Sequence, residues 1–117
     1  MDSLALATST AQILDSKKAL DIEILKIEDL TTITDYFVIA TGTSTTQIKA
    51  LAGEVEVKLK EQGVTPLHVE GYDSATWILL DYGSVIVHIF HKESRAFYSL
   101  ERLWSDAQKV SLEDILK

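Results

Sequence analysis

The chain has 117 residues, of which 46% are hydrophobic and 25% charged, so it can bury the core of a single domain spanning residues 1–117. Its formal charge of −7 disfavours direct binding to nucleic-acid phosphates, and the absence of cysteine excludes disulfides, zinc thiolate sites and thiol catalysis. The negative charge suits a basic partner, although it would also serve only to keep the protein in solution.

The first half of the chain predicts the order α-β-β-α. A helix is expected over about residues 3–18, because its apolar residues recur along one stripe. The alternating run 21–28 predicts a strand near an edge of the sheet. The run 36–42 is apolar on both faces, which is typical of a central strand.

A second helix should begin after a capping box, Ser44-Thr45-Thr46-Gln47, in which the Gln47 side chain reaches back to the N-cap residue. Gly63 is expected just after its end. Gly53, inside this helix, costs about 1 kcal/mol relative to alanine, and we attribute it to close packing on the sheet. The predicted buried stripe comprises Ile48, Leu51, Ala52, Val55 and Leu59.

The second half predicts β-β-β-α. A short strand begins at Pro66, two strands lie within 77–90, and a last helix covers 93–104. The crossover through the second helix should be parallel, and short turns make the later strands antiparallel. We therefore expect an α/β fold with a mixed five-stranded sheet, the helices covering one face. Residues 105–117 are expected to form a loose tail beyond a core of residues 3–104, with Ser111 capping a helical turn.

The stretch WILLDYGSVIVHIF, residues 77–90, carries different side chains on its two faces. One face is aliphatic and suits the core. Polar groups on the other face are costly to bury without partners, so either another part of the chain or a protein partner should cover it. The residues of that second face are Trp77, Leu79, Asp81, Ile86, His88 and Phe90.

No residue pattern identifies a catalytic centre. The three histidines lack the register of a metal site, and Asp35, Asp73 and Asp81 are too separated to predict a two-metal centre. The loop Gly42–Gln47 precedes a helix N-terminus, where anions can bind, but it lacks the Walker and dinucleotide patterns. We expect no enzyme activity, no cofactor and no metal. We also expect no membrane span and no secretory signal, and hence a cytoplasmic protein.

Three motifs together resemble the ribosomal silencing factor family, also called the Iojap family. They are ITDYFVIATGTS, VEGYDSATWILLDYGSVIVHIF and ESRAFYSLERLW, in the family's order and spacing over about residues 21–104. The resemblance implies a small domain of nucleotidyltransferase-like topology that is often a homodimer. It also implies a translational repressor that binds ribosomal protein L-fourteen on the large ribosomal subunit and blocks joining of the small subunit when nutrients are short.

The residues that the resemblance assigns to contacts with the ribosomal protein are Trp77, Leu79, Asp81, Tyr82 and His88, followed by Tyr98, Glu101 and Trp104. Packing or dimer contacts are the alternative roles for the last three. A nucleotide-binding sensor or nucleotidyltransferase-like enzyme using the Gly42–Gln47 loop is the main alternative function, although the paired acidic residues of such enzymes are absent. A structural dimer that uses the second face as a self-interface is a third hypothesis.

Overall fold

The computed structural model describes residues 1–98 and 100–116, without the side chains of residues 96–98 and 101. The elements are α1 (Ser3–Ser16), β1 (Leu20–Lys26), β2 (Tyr36–Gly42), α2 (Thr45–Glu61), β3 (His68–Glu70), β4 (Trp77–Asp81), β5 (Val85–His91), α3 (Lys92–Tyr98), α4 (Leu100–Leu103) and β6 (Gln108–Lys109). The predicted order is confirmed as far as the helical stretch after β5. No described helix is both long enough and apolar enough to cross a membrane.

The described strands form one mixed sheet in the order β3-β4-β5-β2-β1-β6. Only β2 and β5 are parallel neighbours among them, and β2 is buried along its whole length, as expected for a central strand. The strands joined by the crossover through α2, β2 and β3, run in the same direction, as predicted. They are not neighbours, because β5 and β4 lie between them and β3 is at the sheet edge. The prediction of five strands is wrong, since the sheet contains a sixth strand, β6. Its pattern does not predict a strand, because β6 has two exposed polar residues and forms only by pairing with β1.

Helices α1 and α2 seal the first face of the sheet. Asp2 caps α1 by accepting a hydrogen bond from the Ala5 N–H at 2.7 Å, and Ser44 caps α2 through the Gln47 N–H at 3.0 Å. The predicted stripe of α2 is buried, and Gly63 follows its end with φ +83°. The core of this face is aliphatic except for Tyr36 and Tyr82.

Two details of α2 differ from the sequence-based expectations. The Gln47 side chain accepts a hydrogen bond from the Thr43 N–H at 2.6 Å, one residue before the N-cap residue. A Cβ built on Gly53 would meet nothing within 4 Å, so the prediction that this glycine permits close packing is wrong. Space for a side chain exists there, and the glycine is not required by its contacts.

Residues 107–116 form a C-terminal strap around the edge of the sheet, and the prediction of a loose tail is wrong. After β6, the Val110 N–H donates to the Ile24 carbonyl at 2.9 Å. Leu112, Ile115 and Leu116 then pack against the core of the first face. Half of the strap residues are apolar, but the strap crosses from one sheet face to the other, so its apolar residues lack the periodicity of a regular element.

The expectation that all helices cover one face is also wrong. Arg95 of α3 donates to the Asp21 carbonyl, to Thr41 Oγ1 at 2.7 Å and to Glu23 Oε2 at 3.3 Å, which fixes α3 over the second face of β1 and β2. Leu100 of α4 packs into the core of that face. An apolar stripe on a helix does not reveal which face of a sheet it covers, since either face can receive it.

Candidate functional site

The register of β4 and β5 brings the predicted second-face residues together. It pairs Trp77 with Phe90, Leu79 with His88, and Asp81 with Ile86. Directly paired residues of antiparallel strands lie on the same face, so the predicted grouping of these six side chains is confirmed. The intervening residues of β4, Ile78 and Leu80, lie in the core of the first face.

An aromatic cluster surrounds His88 on this face. His88 is 4% exposed, and its imidazole lies edge-on to Phe37 with ring centroids 4.7 Å apart. Trp77 stacks on Phe90 at 5.0 Å and lies 5.8 Å from the His88 ring. These edge-on and offset arrangements are favourable for aromatic rings and fix their mutual orientation.

A hydrogen bond links the two polar members of the cluster. The Trp77 Nε1–H donates to His88 Nδ1 at 3.0 Å, so His88 is the neutral tautomer with its proton on Nε2. Burial lowers the pKa of His88 to about 3, which keeps the ring uncharged at neutral pH. Among the described residues, His88 Nε2 has no hydrogen-bond partner. The histidine therefore holds the indole in one orientation.

The chain itself also supplies a donor for Asp81. One carboxylate oxygen accepts from the Gly83 N–H at 2.8 Å and closes the turn between β4 and β5. Tyr82, the next residue, is buried in the core of the first face, and burial raises the pKa of its phenol, with smaller contributions from Glu56 and Tyr72. Tyr82 thus lies on the opposite side of the sheet from Trp77.

The described residues cover the second face only in part. Leu100 is buried there, and Trp104 packs edge-on against Phe37 with ring centroids 5.7 Å apart. Trp77 and Leu79, over β4, stay half-buried. Cover by the chain itself is therefore observed over part of this face, whereas cover by a protein partner over β4 stays a prediction. The side chains of the candidate residues Tyr98 and Glu101 lie outside the described residues, whereas Trp104 has a packing role.

The sequence-based prediction missed two residues of the open part of this face. β3 pairs with β4 so that His68 is opposite Asp81 and Glu70 is opposite Leu79. Both side chains are exposed and extend the face to the edge of the sheet. The alternation of His68 and Glu70 with Val69, which packs in the core of the first face, indicates that the two side chains share the second face. Their neighbours on β4 could not be predicted without the register of β3.

The Gly42–Gln47 loop uses its polar side chains for capping. Gln47 Oε1 accepts from both the N–H and the hydroxyl of Thr43, and the Ser44 hydroxyl accepts from the Gln47 N–H. Within residues 1–98 and 100–116, no cluster of three or more potential metal-ligating side chains and no cavity are found. The aromatic second face is the strongest candidate site in the described chain.

The fold and this surface define a small α/β domain with one sheet face sealed by helices and a half-exposed aromatic cluster on the other. The family described as ribosomal silencing factor during starvation, RsfS, matches residues 1–117. The chain belongs to this ribosomal silencing factor family, and the resemblance seen in its motifs is confirmed.

Individual relatives agree with that assignment. A ribosomal silencing factor from Halalkalibacterium halodurans is 43% identical over 102 residues, covering 87% of both chains. A crystal structure of a Chromobacterium violaceum protein superposes with a TM-score of 0.87 at 39% identity, covering 95% of this chain and 92% of that one. A mouse relative named mitochondrial assembly of ribosomal large subunit protein 1 is 33% identical over 96 residues, or 80% of this chain and 42% of the relative.

Proposed function

We propose that this protein is a translational repressor that binds the large ribosomal subunit through ribosomal protein L-fourteen and prevents joining of the small subunit. Repression would operate in the cytoplasm when nutrients are limiting. Family membership supports a role at the ribosome, and the name of the mouse relative points to the large subunit. The observation that carries the proposal for this chain is the half-exposed Trp77 on a sheet face that the described residues cover incompletely.

Trp77 has the properties of a preorganised interface anchor. Stacking on Phe90 and donation to His88 hold its indole in place before any partner arrives. A partner therefore gains a large aromatic contact without the cost of ordering that side chain. Tryptophan is among the residues that dominate binding energy at protein interfaces. Leu79 adds an apolar contact next to it.

Repression by this route needs no chemical step. The described chain measures 34 × 33 × 29 Å, and a body of that size bound on the joining surface of one subunit excludes the other by steric overlap. The net charge of −7 favours association with a basic ribosomal protein over direct contact with RNA. Catalytic residues and a cofactor are not part of the proposal.

We also propose that the free protein is a homodimer that uses the open part of the second face. A half-exposed aromatic surface can be buried by a second copy when the ribosomal protein is absent. Light scattering at high micromolar concentration should give twice the mass of 13.0 kDa for the free chain. A monomeric mass there contradicts the dimer. A dimer that persists on the ribosome would show that the two contacts use separate surfaces.

The direct test is co-sedimentation with separated ribosomal subunits. We expect binding to the large subunit alone, and a decrease in the formation of joined ribosomes when the protein is added before the small subunit. Binding to the small subunit, or large-subunit binding that leaves joining unchanged, contradicts the proposed mechanism. Reconstitution with purified L-fourteen would then identify the ribosomal contact.

A further inference from the structure

Two rows of side chains cross the second face from the sheet edge to the aromatic cluster. In one row, Glu70 of β3 is opposite Leu79, which is opposite His88. In the other, His68 is opposite Asp81, which is opposite Ile86. Exposure decreases along both rows: the His68 and Glu70 side chains are 57% and 63% exposed, and His88 is buried. We call His68, Glu70, Leu79 and Asp81 the β3–β4 strip.

The strip lies in a part of the chain that has no strong cation. All eleven lysines and arginines lie outside the interval from residue 62 to residue 91, which contains three carboxylates. Two of those carboxylates, Glu70 and Asp81, lie on the strip itself. The first-face helices, by contrast, carry ion pairs such as Lys58 with Glu54 and Glu61. A field of one sign beside an apolar contact steers and selects a partner of opposite sign.

We propose that the β3–β4 strip is the charged margin of the docking surface, and that it fits a basic protein surface whose lysines or arginines reach Glu70 and Asp81 while apolar side chains cover Leu79 and Trp77. This inference rests on the proposed function and adds Glu70, next to the already expected contact Asp81, as a residue that determines the choice of partner. RNA is not the occupant, because carboxylates repel its phosphates and the strip offers no lysine or arginine to bind them.

His68 competes with an incoming cation for the Glu70 carboxylate. Its Nε2 lies 2.7 Å from Glu70 Oε1, so the imidazole is hydrogen-bonded to that carboxylate in the free protein. An incoming arginine can bind the same carboxylate through two parallel N–H···O bonds, and an arginine or a lysine also brings a full positive charge to it. Asp81, opposite His68 across the strands, keeps one oxygen on the Gly83 N–H and so presents its charge from a fixed position.

The test compares two charge reversals of equal size. Glu70→Lys alters the strip, and Glu61→Lys alters an exposed glutamate at the end of α2, on the opposite side of the sheet. Thermal unfolding of both variants establishes that they are folded. Association with purified large subunits is then measured over a series of salt concentrations. We expect Glu70→Lys to associate about tenfold more slowly at low salt and with a weaker salt dependence, and Glu61→Lys to match the wild type.

Equal effects of the two reversals, or no effect of either, overturn the inference. The proposed function is unaffected by that result as long as the wild-type protein binds large subunits. If wild-type protein does not bind large subunits at all, NMR titration with a short peptide of lysine and leucine decides the inference separately. Chemical-shift changes confined to residues 68–81 and abolished by Glu70→Lys support it. Changes elsewhere, or changes at the strip produced by an RNA oligonucleotide instead, overturn it.

Discussion

The two faces of the sheet carry different kinds of side chain. The first face is almost entirely aliphatic, is sealed by α1, α2 and the strap, and buries residues such as Leu80 completely. The second face is aromatic, contains a buried histidine, and is covered by the described residues over β5, β2 and β1. The same five-residue strand, β4, contributes to both through alternate side chains.

This difference separates stability from recognition. Aliphatic side chains interlock by shape and volume alone, so the first face contributes free energy of folding and has no directional requirement. The second face has polar atoms that fix orientation, such as the Trp77–His88 hydrogen bond. A surface that must meet a partner in one geometry benefits from such constraints, because the partner does not have to order it. Variants that affect one face and spare the other test this division.

Neighbouring leucines of β4 give the largest expected contrast. Leu80→Ala should lower the free energy of unfolding by about 3 kcal/mol, because it leaves a cavity in the sealed core. Leu79→Ala should cost clearly less stability and should weaken large-subunit binding instead. Urea unfolding and co-sedimentation of both variants measure the two effects. Equal destabilisation with normal binding would show that the second face is an ordinary core.

Trp77→Ala should reduce large-subunit affinity by about thirtyfold, which corresponds to about 2 kcal/mol. Part of the indole is buried against Phe90, so a smaller loss of stability should accompany the change. Binding assays at temperatures well below the unfolding transition separate the two contributions. The matched control is Trp104→Ala, which removes packing against Phe37; if it weakens binding as strongly as Trp77→Ala, the anchor has been misplaced.

His88 should make the protein less stable as the pH falls. Its pKa is about 3 in the folded chain and about 6.5 when unfolded, so between these values the unfolded state binds a proton that the folded state does not. Stability therefore decreases on acidification, by about 2 kcal/mol between pH 6.5 and pH 5 from this residue. Urea unfolding of wild type and His88→Phe over that range should show the difference. An identical pH dependence would refute the assignment.

Gly53→Ala should stabilise the protein by about 1 kcal/mol, since alanine favours the helix and its Cβ meets no neighbour. Ribosome binding should not change, because α2 lies on the first face. The contrasting control is Gly71→Ala: φ is +93° there and a Cβ would lie 2.0 Å from the Trp77 carbonyl oxygen, so this variant should be strongly destabilised. A destabilised Gly53→Ala would indicate a contact absent from this structure.

The smallest expected effect concerns nucleotides. Titration calorimetry with ATP or CTP and Mg²⁺ should show no specific binding, because Ser44 and Gln47 are engaged in capping and the paired acidic residues are absent. Saturable binding at physiological concentrations that is lost in Ser44→Ala would support the alternative function. Such a result would assign the loop a role independent of either sheet face.

Periodicity was sufficient where one face of an element is uniformly apolar. The stripe of α2, the central position of β2 and the shared face of Trp77 and His88 all followed from spacing of 3.6 or 2 residues. Spacing says nothing about which sheet face a helix covers, so the placement of Leu100 was not predictable. It also could not detect β6, whose two residues acquire strand geometry only from the edge of β1.

The candidate site depended on register more than on residue type. Trp77, Leu79 and His88 were placed on one face because they lie on strongly patterned strands, and their expected role as contacts came from the family resemblance. Glu70 was not, because β3 has three residues and its alignment with β4 cannot be deduced from so short a segment. The family resemblance assigned Tyr82 to the contact surface, but the turn after β4 places its ring in the sealed core.

The C-terminal strap has a consequence for how the chain acquires its structure during synthesis. β1 emerges from the ribosome early, yet the backbone that pairs with its outer edge is among the last of the described residues to be made. Until residues 108–110 arrive, the Ile24 carbonyl and its neighbours form an unprotected strand edge, which is the kind of surface that promotes pairing with other chains. A nascent chain halted just after Trp104 would therefore be an incomplete domain that is prone to aggregate.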